Sequence, residues 1–385
     1  MKASVLSALA ISSGVYALPQ ITPNTPIAHA LPLEAFETTK FTQLLSLDNI
    51  LKGVFSKPPS LKDVPKLGQV IDTLFHPDDK EETTSDDTKS DDTTTFKTFS
   101  EAATSAAAAT CSNPRVRQEW DSYSNSDRQA YVSAIKCLMS KPPGGQFSQA
   151  KSRYEDLVAL HQTLTPNVHG NSKFLLWHRY YLFTFETLLR RECGFDRNLP
   201  WWDESRYSGN FAASSIFSDQ WYGGINANGN CITNGQFANL AINVGPGTSN
   251  QVHCLARNND NSKTINTNSQ MVDGCNQQKD YANMAACQEG GAHAWGHNGI
   301  GAVMQDVYGS PGDPVFFLHH AFVDRNLRIW QNSDPSRVNN IDGTDHSGNA
   351  LTLATTINVY GILPDVKIGD ILNTMSTTLC YKYNY

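Results

Sequence analysis

Seven of the eleven histidines in this 385-residue chain fall within two short windows, 161–178 and 293–320. His161, His169 and His178 make up the first, and His293, His297, His319 and His320 the second. A single histidine on an apolar face is usually a core residue with a satisfied hydrogen bond. Two groups able to converge point instead to metal, because neutral imidazole is the commonest metal ligand. His293 and His297 are four residues apart, so both rings leave one helical face and can grip one ion. His319 and His320 are neighbours that point about 100° apart on a helix, so only one of them readily joins that ion. Six imidazoles without a thiolate or carboxylate suit copper or zinc rather than calcium or magnesium. A structural zinc site is closed by four ligands, whereas three per ion leaves both ions open. Two open ions facing each other can hold a diatomic molecule, and copper has the redox chemistry to use it. The pattern predicts two copper ions with O2 as co-substrate; a di-zinc hydrolase is the rival that metal analysis separates.

Such ligands need rigid elements. Tyr154–Leu164 carries Leu157, Val158 and Leu160 beside His161, which shares a helical face with Leu157. His178 shares its face with Phe174 and Leu182, inside a helical repeat over Phe174–Arg191. His169 lies between them in a Pro/Asn/Gly loop. Helical patterns continue over His293–Met304 and Phe316–Trp330, so the chain is expected to be mainly α. Residues 205–285 are rich in Gly and Asn and should form a long, loop-rich, disulfide-pinned insertion. All eight cysteines lie beyond residue 110. Their even number allows up to four disulfides but fixes no pairing. Cys111 and Cys380 bracket the domain, which makes a clamp between its ends attractive.

Composition divides the rest. Residues 1–17 look like a secretory signal peptide, with Lys2 before a short apolar run, so the protein is expected to be secreted and extracellular. Residues 18–77 form a propeptide or accessory segment. Residues 78–96 are acidic, Thr/Ser-rich and nearly free of apolar side chains, as in a disordered linker. Residues 97–385 form the copper domain. The net charge of −7 and the lack of a basic run argue against nucleic acid. No stretch has the ~20 apolar residues of a membrane-spanning helix.

The second-window run Asp313-Pro314-Val315-Phe316-Phe317-Leu318-His319-His320, with Asp324, resembles the second copper signature of the tyrosinase, catechol oxidase and haemocyanin family. His169 followed by Phe174-Leu175-Leu176-Trp177-His178-Arg179, with Leu182 and Glu186, resembles the first. The likeness runs from Cys111-Ser112-Asn113-Pro114-Arg115-Val116-Arg117 to Tyr381-Lys382-Tyr383. It implies a four-helix bundle around a dinuclear centre. It also implies CuA on His161, His169 and His178, and CuB on His293, His297 and His320, with His319 a non-ligand. Small phenolic compounds are the implied substrates. The C-terminal lid domain of many relatives is expected to be absent.

Two departures bear on activity. Asn167 stands where many relatives carry a cysteine, so that thioether to the second CuA histidine is not expected. Ala294 follows the first CuB histidine, where monophenol-hydroxylating relatives often carry Asn. Glu289 is the candidate acid that orients a water near the coppers, and Val307 leaves the pocket open. Ala294, with no amide beside Glu289, favours oxidation of o-diphenols over hydroxylation of monophenols, whereas the small Val307, where some catechol oxidases carry a bulky Phe, argues the other way. The alternatives are a true tyrosinase with strong monophenolase activity and haemocyanin-like oxygen binding. Asp324, one turn after His320, is expected either to orient a ligand imidazole or to pair at the surface with Arg325 or Arg328. Phe316 and Phe317 are expected to wall the site.

Overall fold

The computed structural model describes residues 18–20, 35–38 and 111–385. They belong to one compact unit, Met1–Phe55 with Thr110–Tyr385; a second unit, Ser56–Ala109, lies outside them. Also outside are the expected signal peptide, the acidic stretch 78–96, His29 and His76.

Local chemistry sets the helix ends. Helix α1 (Asn125–Ser140) begins at Ser124, whose hydroxyl accepts the Asp127 N–H at 3.1 Å. Helix α2 (Arg153–Val168) begins at Ser152, which accepts the Glu155 N–H in the same way. Helix α3 (Phe174–Cys193) ends on Gly194 at φ 66°, the left-handed conformation that glycine adopts without a Cβ penalty. Helices α4 (Ser269–Asn276), α5 (Tyr281–Gln288), α6 (Ala294–Ile300) and α7 (Val315–Asn332) follow. A π-helical turn over Glu289–His293, kinked at Gly291, joins α5 to α6. Such turns occur often at functional sites.

The fold is mainly helical, as expected. Helix α3 packs on α1, α2 and α7. Of the two histidine windows, His161 sits on α2, His178 on α3, His293 and His297 on the π turn with α6, and His319 and His320 on α7, while His169 caps the end of α2. Strand β1 (Arg115–Glu119) pairs in parallel with β2 (Pro200–Trp201) on one side and the C-terminal strand Tyr381–Tyr383 on the other. Within 205–285 the chain forms short 3-10 turns and one small antiparallel pair, Ala241–Ile242 with His253–Cys254, but its last part is helical: a single turn over Asn261–Thr264, then α4 and the start of α5. All eight cysteines are paired: Cys111–Cys380, Cys137–Cys193, Cys231–Cys254 and Cys275–Cys287. The first joins the two ends of the domain, and the second ties α1 to α3. No helix among the described residues is long and apolar enough to cross a membrane.

Asp324 does neither thing expected of it. It is buried and accepts from Arg179 Nε at 2.6 Å, from Arg117 at 3.4 Å, and from the hydroxyls of Tyr381 and Tyr383. Arg117 also pairs with buried Glu186 at 3.1 Å. Burial alone would raise the Asp324 carboxyl. Arg179, Arg117 and the two tyrosines outweigh it and hold the group below its usual range. Asp324 therefore locks the terminal strand and β1 onto α3 and α7. Asp313 has a parallel role: it pairs with Arg257 at 2.7 and 2.9 Å, both side chains fully buried, and accepts the Val315 N–H that starts α7.

Candidate metal centre

The structure gathers both histidine windows into one buried cluster. Ligand atoms of His161, His169 and His178 lie within 4.8 Å of one another, and so do those of His293, His297, His319 and His320. The two groups abut: the His178 and His320 rings stack at 4.4 Å.

Backbone carbonyls orient the rings. The Nδ1 of His161 meets Tyr308 O at 2.9 Å, that of His178 meets Phe174 O at 2.8 Å, and that of His169 meets Thr165 O at 3.3 Å. In the second group, His293 Nδ1 meets Glu289 O at 2.8 Å and His297 Nδ1 meets Met304 O at 2.7 Å. A carbonyl only accepts, so each of these Nδ1 atoms carries the proton and each Nε2 carries the lone pair. The Nε2 atoms of His161, His169, His178 and His293 are buried without a hydrogen-bond partner. His297 Nε2 and His320 Nε2 lie 3.2 Å apart, close to the edge expected for two nitrogens on one ion at ~2.0 Å. Burial disfavours charge on all six rings, holding His161 at about 4 and the others well below the usual imidazole range. Inward lone pairs with no partner are costly unless a metal takes them. The donor set fits a dinuclear copper site.

His319 is held differently. Its Nδ1 meets the carboxyl of buried Glu204. Burial raises Glu204 and lowers His319 to about 3, disfavouring charge on both partners. The His319 ring packs edge-on against His297 at 4.4 Å, propping it from behind. Glu204 lies in a 3-10 turn, where nothing in the sequence marks it out.

Of the other expected residues, Glu289 is buried under the cluster. Its side chain accepts the N–H of Gly170 at 2.8 Å, and burial raises its carboxyl to about 8 against that bond. Gly170, at φ 66°, makes the turn that directs His169 inward. Ala294 is buried at the start of α6 beside His293. Val307 is half-buried in the loop whose next carbonyl, Tyr308, holds His161. Phe316 stacks on His320 at 4.0 Å and does wall the site. Phe317 does not: it stacks on Phe185 at 3.6 Å in the core. Asn167 bonds His346 at 2.8 Å, and His253 is buried against the Gln251 carbonyl.

One occupant was not foreseen. Phe36, from the segment upstream of the domain, is buried over the cluster. Its ring stacks on His297 at 4.2 Å, meets His293 edge-on at 5.0 Å, and lies 5.9 Å from His169. Asn298, next to His297, holds the Phe36 backbone through two hydrogen bonds.

The common central domain of tyrosinase matches residues 151–333. Tyrosinase P of Aspergillus terreus is 30% identical over 343 residues, covering 74% of this chain and 96% of that protein. An N-acetyl-6-hydroxytryptophan oxidase of Emericella nidulans is 27% identical over 340 residues, covering 70% and 92%. Among solved structures, a polyphenol oxidase from Thermothelomyces thermophila superposes with a TM-score of 0.62 at 26% identity, over 71% of this chain and 89% of that one. A functional unit of octopus haemocyanin shares the fold, with a TM-score of 0.52 at 17% identity over 70% and 68%.

Proposed function

The chain belongs to the tyrosinase family of type-3 copper oxidoreductases, and from that premise we propose that it oxidises o-diphenols to o-quinones with O2, with weak or absent monophenol hydroxylation. The observation that carries this reading is the pair of abutting histidine groups, in which His161, His169, His178 and His293 bury a partnerless Nε2 and those of His297 and His320 face each other at 3.2 Å. His161, His169 and His178 are the proposed CuA ligands, and His293, His297 and His320 those of CuB. Bound copper would supply one-electron redox at each ion and a place for O2. The protein's own part is to orient and to exclude water. The carbonyls of Tyr308, Phe174, Thr165, Glu289 and Met304 fix the imidazole tautomers. Phe174 and Phe316 close the floor around the rings. Glu289 is a proposed proton acceptor, since a base must sit within hydrogen-bond reach and titrate near the working pH. The four disulfides support secretion into an oxidising compartment. Copper analysis together with O2 uptake on a catechol and its matching monophenol tests the reading. An oxygen carrier would give no turnover on either.

Three results are expected from single substitutions. His320→Ala should lose the second copper, whereas His319→Ala should keep both, because it is His320 whose Nε2 faces the Nε2 of His297 at 3.2 Å. The reverse pattern of copper content would exchange the two roles. Ala294→Asn should raise monophenol turnover more than diphenol turnover, because an amide there can help to hold the water at Glu289 that deprotonates a monophenol. Parallel rises on both substrates would remove Ala294 from the explanation.

The third concerns Phe36, whose ring competes with a substrate ring for the face of His297. Burying a phenylalanine is worth roughly 1.5–3 kcal/mol. Phe36→Ala should therefore lower the apparent KM for a catechol by roughly 10- to 100-fold. An unchanged KM in steady-state assays would show that the segment does not obstruct the site.

A further inference from the structure

Asn298 reaches Phe36 across 262 residues of sequence. Its Oδ1 accepts the Phe36 N–H at 3.2 Å, and its Nδ2 donates to the Phe36 carbonyl at 2.8 Å, both bonds buried. A primary amide offers one acceptor and two donors. Used in this way, it pairs with the N–H and C=O of a single residue, as a neighbouring strand does in a sheet. A free phenol has neither group, and a residue inside a peptide has both. Phe36 meanwhile puts its ring on His297 and His293, while Ala35 and Glu37 on either side are exposed. That is a segment whose exposure alternates, with one side chain directed inward onto the histidines. Phenylalanine is also tyrosine without its hydroxyl: it fills the ring space and has nothing to oxidise.

We propose that this site takes phenolic rings carried on a peptide, namely tyrosine-derived side chains with intact peptide groups on both sides, and that Asn298 reads the backbone of the residue bearing the ring. Phe36 is the chain's own unreactive copy of such a residue. The proposal rests on the phenol-oxidase reading above. For the diphenol form, two peptide-borne catechol rings give up four electrons and four protons, which reduce one O2 to two waters. Two o-quinones form, and no peptide bond is broken. Asn298 is a positioning residue that acts through the backbone and takes no part in the electron transfer.

The test uses the full copper-loaded chain carrying Phe36→Pro, which removes both the ring and the N–H that Asn298 Oδ1 accepts, so that the ring site and the amide are free. Binding is read by fluorescence anisotropy of labelled N-acetyl-Ala-Phe-Glu-amide, which cannot be oxidised. Turnover is read as the ratio of KM values for N-acetyl-Ala-dihydroxyphenylalanine-Glu-amide and for methylcatechol. The Phe peptide should bind, and adding Asn298→Ala should weaken it about tenfold, the order set by two net hydrogen bonds. The peptide catechol should show a KM about tenfold below that of methylcatechol, and Asn298→Ala should bring the ratio near one. Asn298→Asp keeps the acceptor but sets a carboxylate against the substrate carbonyl, so it should lose as much as alanine. Absence of Phe-peptide binding, or a KM ratio that Asn298→Ala leaves in place, overturns the proposal. If neither catechol is oxidised, the phenol-oxidase reading fails, and the anisotropy still decides whether Asn298 reads a peptide.

Discussion

A His178→Ala protein is expected to lose copper and to oxidise catechol more than about a hundredfold more slowly, since loss even of a partner behind a ligand typically costs ~10–100-fold. His178 stands at the junction of the two groups. Its Nδ1 is fixed on Phe174 O, its Nε2 is buried without a partner, and its ring stacks on that of His320. Alanine removes a proposed CuA ligand and also the surface against which a proposed CuB ligand is held. His297→Ala makes the same test from the other side, since His297 is locked by Met304 O and faces His320. Elemental analysis and O2 uptake on the purified proteins give the two readouts, with circular dichroism confirming the fold. Wild-type copper content and rate in either variant would overturn the ligand assignment.

Asp324→Ala should strike the fold rather than the chemistry. The carboxylate answers two fully buried guanidiniums, Arg117 and Arg179, and two buried tyrosine hydroxyls. Removing one partner of a buried pair leaves an uncompensated charge and costs about 3–5 kcal/mol. At roughly 2–4 °C per kcal/mol for a domain of this size, the melting midpoint should fall by roughly 6–20 °C. Protein that remains folded at low temperature should still bind copper, because the Asp324 carboxylate bonds Arg117, Arg179, Tyr381 and Tyr383 rather than an imidazole. A midpoint within about 2 °C of wild type would mean that the network contributes little. Loss of copper without loss of stability would restore the ligand-orienting role that its place one turn after His320 suggests.

What the sequence disclosed and what it hid differ in range. His293 and His297 were legible because i, i+4 spacing is a local property of a helix. His178 was legible beside Phe174 and Leu182 for the same reason. The choice of copper followed from ligand type. Asp324 was misjudged because sequence places Arg325 and Arg328 beside it, while its partners Arg117 and Arg179 lie 207 and 145 residues away. The same limit hid Glu204 behind His319, at a separation of 115 residues. It hid the Phe36–Asn298 pairing as well, since no periodicity links a short upstream segment to the end of α6. Phe316 and Phe317 looked alike as a pair, and only the rotation of α7 sends one to the histidines and the other to the core.

The Cys111–Cys380 bond has a consequence for maturation. Phe36 and the site it covers are parts of one polypeptide, so occupancy of that site does not depend on protein concentration. A single peptide-bond cut between Thr38 and Cys111 would change this. The upstream piece would become a separate ligand whose hold weakens on dilution, while the disulfide would keep the new end of the domain fastened to the terminal strand. A protease acting there would convert a first-order equilibrium into a second-order one, and simple dilution would complete the release.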